Sequence, residues 1–290
     1  VLAQNPFSNR TSIHFEHYLE SSLAVELSGN SEFDSLLQSS VKEIWPDKKA
    51  DFFSTEEIRE IKPQDGYCIL GIIHIDNSES TWFSKSENYG KYYAVFIPPI
   101  GIGKNFLFEI IAQVPFSCFQ NEEYSYSDFS ECDYGNSIGF KIKAMLYTVK
   151  QTIDFVQEHE RTTMTPFSFY KLYNYEMREE RIEQMKQKLL LINFEDLNDK
   201  FTPELLDKHY LYNYEIVSEE EYKELVQEGS SNHIALIPAK ASNSGFFIID
   251  LEDYQLLGMS YGRVRVKPNQ KITLIYYKQL KALQKSKEQN

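Results

Sequence analysis

The chain has 290 residues, enough for one large domain or two ordinary ones, with a hydrophobic core that needs no metal or disulfide staples. Hydrophobic residues make up 42% and charged residues 25%, an ordinary globular balance that argues against disorder. The net charge of −13 repels phosphate backbones and anionic headgroups, so nucleic acid is not expected as a partner.

The chain opens Val1-Leu2-Ala3-Gln4. Small residues at −3 and −1 mark a secretory cleavage site, and Val1 and Ala3 fill those places if cleavage falls before Gln4. A periplasmic or extracellular location is the expectation, with a cytoplasmic one as the alternative. His14 and His17, with Glu16 and Glu20, share one face of a starting helix. Surface histidines explain that spacing better than a metal site, because zinc needs a fuller set of close Cys or His ligands. Phe33, Leu36, Leu37, Val41, Ile44 and Trp45 recur at helical spacing. Asp51-Phe52-Phe53 then reads as a short strand, and Ser54-Thr55-Glu56-Glu57 as a capping box that opens a helix. Apolar runs over 67–75 and 92–97 read as buried strands, and 106–114 as another. None approaches the about 20 apolar residues of a membrane span.

Residues 117–139 form a loop rich in acids, Ser and Tyr. A helix is predicted over 140–158, where Ile142, Met145, Leu146, Val149, Ile153 and Val156 make an apolar stripe. A charged helix over 176–188 and a short strand over 189–192 follow. Thr202-Pro203-Glu204 opens another helix with a cap residue and an N1 proline. Glu215-Ile216-Val217 and Ser218-Glu219-Glu220-Glu221 then repeat the earlier acid, two apolar residues and Ser-x-x-Glu. Strands at 233–238 and 246–249, a hairpin of 262–266 with 271–277, and a lysine-rich helix close the chain.

The repeated order predicts an α+β fold with mixed or antiparallel sheets. It also predicts a divergent internal duplication of a helix–strand–helix–strand–strand unit. The expected domains are 1–138, which includes the acidic loop, and 139–290. The strand Tyr214-Glu215-Ile216-Val217-Ser218 leading to Phe247-Ile248-Ile249-Asp250 resembles uncharacterised secreted or envelope-associated bacterial proteins. That resemblance covers the second unit only and implies no site residues.

The residues point to little conventional chemistry. Gly101-Ile102-Gly103-Lys104 lacks the spacing and the Lys-Ser/Thr ending of a phosphate loop and reads as a turn. No Gly-x-Ser-x-Gly elbow or Cys-x-x-Cys pair occurs. A triad assembled from distant residues stays open, since triads are recognised by geometry. Cys68 reads as a small buried hydrophobe, while Cys118 and Cys132 are either a loop-closing disulfide or two free thiols. Asp250, Glu252 and Asp253 follow a strand and read as a self-capping turn, with a catalytic carboxylate group as the other reading. Arg263, Arg265 and Lys267 read as a solvated strand face.

No cofactor and no metal are expected. The candidate binding residues are Tyr124, Tyr126, Phe129 and Tyr134, amphipathic rings in a loop too long to be a mere connection. The function expected is that of a non-enzymatic binding or scaffold protein, secreted or of the cell envelope, with protein as its partner. The alternatives are a hydrolase with a loop-built carboxylate site, and an intracellular acidic adaptor or inhibitor.

Overall fold

The computed structural model describes residues 11–76, 89–97, 109–115, 138–159, 172–197, 203–239 and 243–265, together with 281, 283 and 284. The chain divides into two compact units, Val1–Pro166 and Phe167–Asn290. Helices accompany mixed parallel and antiparallel sheets in both, an α+β architecture.

The first unit runs α1 (Thr11–Glu20), β1 (Ser22–Glu26), α2 (Ser31–Ile44), β2 (Ala50–Phe53), α3 (Thr55–Glu60), β3 (Tyr67–Asp76), β4 (Tyr89–Ile97), β5 (Glu109–Pro115) and α4 (Ile138–Glu158). Its sheet has the order β2-β1-β3-β4-β5. β1 is parallel to both neighbours, and β3, β4 and β5 form an antiparallel meander. Leu23, Ala24 and Val25 of β1 are all fully buried, the continuous apolar run of a parallel strand covered on both faces. α2 starts where Asn30 accepts the amides of Glu32 and Phe33, and it buries Phe33, Leu37, Val41 and Ile44. α4 packs on α2, β4 and β5 through the predicted stripe, with Ile142, Leu146 and Val149 fully buried.

The second unit runs α5 (Arg178–Gln187), β6 (Leu189–Asn193), α6 (Pro203–His209), β7 (Tyr214–Val217), α7 (Glu219–Glu228), β8 (His233–Ala239), β9 (Asn243–Asp250) and β10 (Leu256–Arg265). Its sheet has the order β7-β6-β8-β9-β10. β6 is parallel to β7 and β8, and β8, β9 and β10 alternate in direction. Leu190, Ile192, Ile234, Leu236, Phe246 and Ile248 fill its core. Arg181 of α5 is buried beside that core. Its guanidinium donates to the carbonyls of Leu283, Leu257 and Asn174, which ties helix, strand and chain end together. Burial lowers its pKa to about 10.

The two sheets match in strand order, in the sense of every pairing and in register. Ser22 N donates to Gly66 O at 3.0 Å, and Leu189 N donates to Asn232 O at 2.9 Å. Leu23 N donates to Lys49 O at 2.8 Å, and Leu190 N to Asn213 O at 3.0 Å. In β1, Glu26 stands opposite Phe53; in β6, Asn193 stands opposite Val217. The shared set is strand–helix–strand–helix followed by three strands, larger than the unit read from sequence. β1 was not predicted. It is only five residues long, and its polar ends leave three apolar residues, too few for a periodic signal.

Ser54 and Ser218 both cap their helices as expected, but only one of the two boxes closes. Ser54 forms the full reciprocal box: Glu57 N donates to Ser54 Oγ at 3.3 Å and Ser54 N to Glu57 Oε2 at 2.8 Å. Ser218 keeps only the first half, with Glu221 N donating to its hydroxyl at 3.3 Å.

Candidate functional site

Tyr124, Tyr126, Phe129 and Tyr134 lie outside the described residues, as do Cys118, Cys132 and the Gly101–Lys104 turn. The candidate site is therefore built from the two sheets. In an open sheet with parallel strands, ligands favour the crevice outside the strands' carboxyl ends, where neighbouring connections leave in opposite directions. Here β1 connects through α2 to β2 on one side, and α3 carries the chain back to β3 on the other. β6, β7 and β8 repeat that plan.

The middle strand of each parallel trio ends in a polar, buried residue: Glu26 in β1 and Asn193 in β6. Glu26 accepts the Thr55 hydroxyl at 3.0 Å on Oε1 and the Ile72 amide at 3.2 Å on Oε2. Gly71 makes room for it, since a Cβ there would stand 2.5 Å from Glu26 Oε2. The β1–α2 loop beside it is tightly made. Ser28 N, Ser28 Oγ and Gly29 N all donate to the Asp34 carboxylate, at 2.7, 2.7 and 3.0 Å. Gly29 carries a φ of 81°, which glycine adopts without strain. In the second unit Asn193 Oδ1 accepts Glu195 N at 3.1 Å and opens a 3-10 turn, Phe194–Asp196, whose first ring is 61% exposed. The same backbone position thus holds a carboxylate braced by two elements in one unit and a turn-capping amide beside an exposed aromatic in the other. Sequence reading missed both residues. Their signal is their register in the sheet, which only strand pairing reveals.

The carboxylates singled out at the end of β9 form an internal ion pair. Lys188 Nζ reaches Asp250 Oδ1 at 2.7 Å and Glu252 Oε2 at 2.9 Å. The side chains of Lys188 and Asp250 are 10% and 3% exposed. Burial lowers the Lys188 pKa and the hydrogen bonds to Asp250 and Glu252 raise it, with a net rise above the ordinary value. Asp250 Oδ1 also accepts Glu252 N at 3.0 Å, and Asp253 accepts Gln255 N at 2.9 Å, the bonds of a self-capping turn.

The remaining sequence candidates are also engaged. His17 Nε2 lies 3.4 Å from the Tyr67 carbonyl, and His159 Nδ1 lies 2.8 Å from the Phe155 carbonyl. Cys68 is buried, and burial pushes its thiol up to about 12, where it is a poor nucleophile at neutral pH. Among the described residues no cluster of three or more His, Cys, Asp or Glu side chains is arranged to hold a metal. No described helix is long and apolar enough to cross a membrane.

Fold and site define an α+β protein of two like-ordered mixed sheets, each with a buried polar residue closing the middle strand of its parallel trio. No family model, curated protein or solved structure matches the chain.

Proposed function

We propose that this is a non-enzymatic binding or scaffold protein, secreted or associated with the cell envelope. In this reading it consists of two divergent copies of one unit, and it engages a protein partner at the carboxyl ends of the parallel strands. The observation that carries the reading is the shared register of the two sheets combined with unlike side chains at the same end. A duplicated frame with divergent ends offers two recognition surfaces. Phe194 is the best single anchor, an exposed aromatic beside a bonded turn, the residue type that supplies contact area at low entropic cost.

What supports binding over a carboxylate hydrolase is the state of Asp250 and Glu252. Both are engaged by Lys188. A general base needs a carboxylate within reach of a substrate proton.

Site-specific photocrosslinking in the source organism tests this. A photoreactive phenylalanine at position 194 is expected to trap a discrete protein adduct, and one at position 175, also exposed, is expected to trap none. Equal yields at both positions, or no adduct at 194, overturn the reading. So does turnover of ester, phosphoester or glycoside substrates that Glu252→Gln and Asp250→Asn abolish.

A further inference from the structure

One group of side chains takes no part in the proposed binding end. Ser230 Oγ lies 2.7 Å from His233 Nδ1, and His233 Nε2 lies 3.5 Å from Glu215 Oε2. Ser230 follows the C-cap of α7, where Gly229 turns the chain sharply at a φ of 74°. His233 opens β8, and Glu215 lies on β7 across the intervening strand β6. Neither element alone predicts the contact. The shared register does, because Tyr67 and Asp51 occupy the corresponding places in the first unit and bond directly at 2.8 Å.

The two tautomers of a neutral imidazole differ in which nitrogen accepts. His233 Nε2 is buried, makes no hydrogen bond among the described residues and lies 3.5 Å from Glu215 Oε2, so a proton placed on it can be directed at that carboxylate. Nδ1 is then the acceptor for the Ser230 hydroxyl. That is the order nucleophile, base, orienting acid, with the ring reversed relative to the commoner arrangement. The Glu215 distance is long, as such contacts often are before a ligand binds. The turn supplies a third element. Its backbone bonds are Ser230 N to Leu225 O and His233 N to Ser230 O, both 3.3 Å. Among the described residues these leave the amides of Ser231 and Asn232, both exposed, without a backbone acceptor. The amide after the nucleophile is a common donor to a developing oxyanion.

We propose that Ser230, with His233 as base and Glu215 as its orienting residue, is a nucleophilic serine that accepts an acyl group from an activated ester or thioester. Ser230 Oγ attacks the carbonyl carbon and forms the new C–O bond. Its proton passes to His233 Nδ1. The amides of Ser231 and Asn232 hold the oxyanion. The bond to the leaving alkoxide or thiolate then breaks, and that group departs with the proton from Nδ1. The reaction ends at the acyl-Ser230 adduct, a single self-acylation without turnover that stands beside the non-enzymatic reading, and no oxidant or metal is consumed.

The test is independent of partner binding at position 194. The folded protein is treated with a fluorophosphonate probe and with p-nitrophenyl acetate, and adducts are mapped by peptide mass spectrometry. A single adduct at Ser230 is expected, absent from Ser230→Ala and from urea-unfolded protein. His233→Gln is expected to slow labelling at least about 100-fold, the usual contribution of a general base. Glu215→Gln is expected to slow it less, since it acts through the imidazole. Hydrogen exchange on each variant separates loss of labelling from loss of fold. No adduct at Ser230, or equal rates in wild type and a folded His233→Gln variant, overturns the proposal and leaves the binding reading intact.

Discussion

The two sheets use one backbone plan for different side-chain purposes. Where the first unit has Ser21 before β1, the second has Lys188 before β6. Where the first bonds Tyr67 to Asp51, the second sets His233 against Glu215. Where the first ends β1 in a braced carboxylate, the second ends β6 in a turn-capping amide. The apolar positions hardly differ in kind: Leu23, Ala24 and Val25 of β1 and Leu190, Leu191 and Ile192 of β6 are all fully buried. Strand order therefore follows from apolar residues that must be covered on both faces, and that constraint leaves the strand ends free to diverge. Function is to be sought where the units differ.

The largest expected difference lies at the Lys188 pair, which the first unit lacks. Asp250→Ala removes the buried partner but leaves Lys188 paired with the exposed Glu252, so the cost is that of lost charge-assisted hydrogen bonds, about 1.5–3 kcal/mol. It is expected to destabilise the second unit by that amount, read as faster hydrogen exchange in β6, β8 and β9. Exchange in β1 and β3 is expected to stay unchanged. The pH dependence has a definite sign. The folded Lys188 pKa lies above its unfolded value, so its contribution is complete below the unfolded pKa. It is lost as pH rises through the folded one. Second-unit exchange in the wild type should accelerate in strong alkali, and this component should vanish in Lys188→Met. Equal slowing or speeding of both units by Asp250→Ala would break the comparison.

Next comes the end of β1. A Cβ at position 71 meets Glu26 Oε2 at 2.5 Å and Glu26 Cβ at 3.2 Å, so Gly71→Ala forces the carboxylate aside. Overpacking of this kind costs about 1–3 kcal/mol. Shortening Glu26 to Ala in the same chain removes the first clash and should recover part of the loss, so the double variant should be more stable than additivity allows. Strictly additive urea midpoints would mean that Glu26 and Gly71 do not share the space.

Much of the fold was legible because its signals are local. The α4 stripe, the Ser54 and Ser218 caps and the apolar runs of β3, β8 and β9 each declare themselves within a dozen residues. β1 was not legible, since Leu23-Ala24-Val25 becomes a strand only when β2 and β3 cover its edges. The sites were less legible for the same reason. Lys188 meets Asp250, Glu26 meets Ile72 and His233 meets Glu215 only through pairing across the sheet. Asp250, Glu252 and Asp253 were visible as carboxylates and as a turn, but the lysine that neutralises two of them lies on another element.

The smallest expected difference is at the two helix starts, and it sharpens the comparison most directly because the motifs look alike in sequence. Ser54 and Ser218 each accept an N3 amide at 3.3 Å, so replacing either by Ala should cost about 1 kcal/mol. The N3 glutamates should behave differently. Glu57 returns a bond to Ser54 N at 2.8 Å, and that backbone hydrogen bond, followed by the one to the Ser54 side chain, holds its carboxyl below the usual value. A lowered folded pKa adds stability above the unfolded value and gives it up as pH falls through the folded one. Glu57→Ala should therefore speed exchange at the α3 amides near neutral pH, with the difference from wild type fading in acid. Glu221→Ala should leave the α7 start nearly unchanged at every pH, because only the serine half of that box is formed. Matching responses from Glu57→Ala and Glu221→Ala would mean that both boxes close in solution and that the units are more alike at this point than their hydrogen bonds indicate.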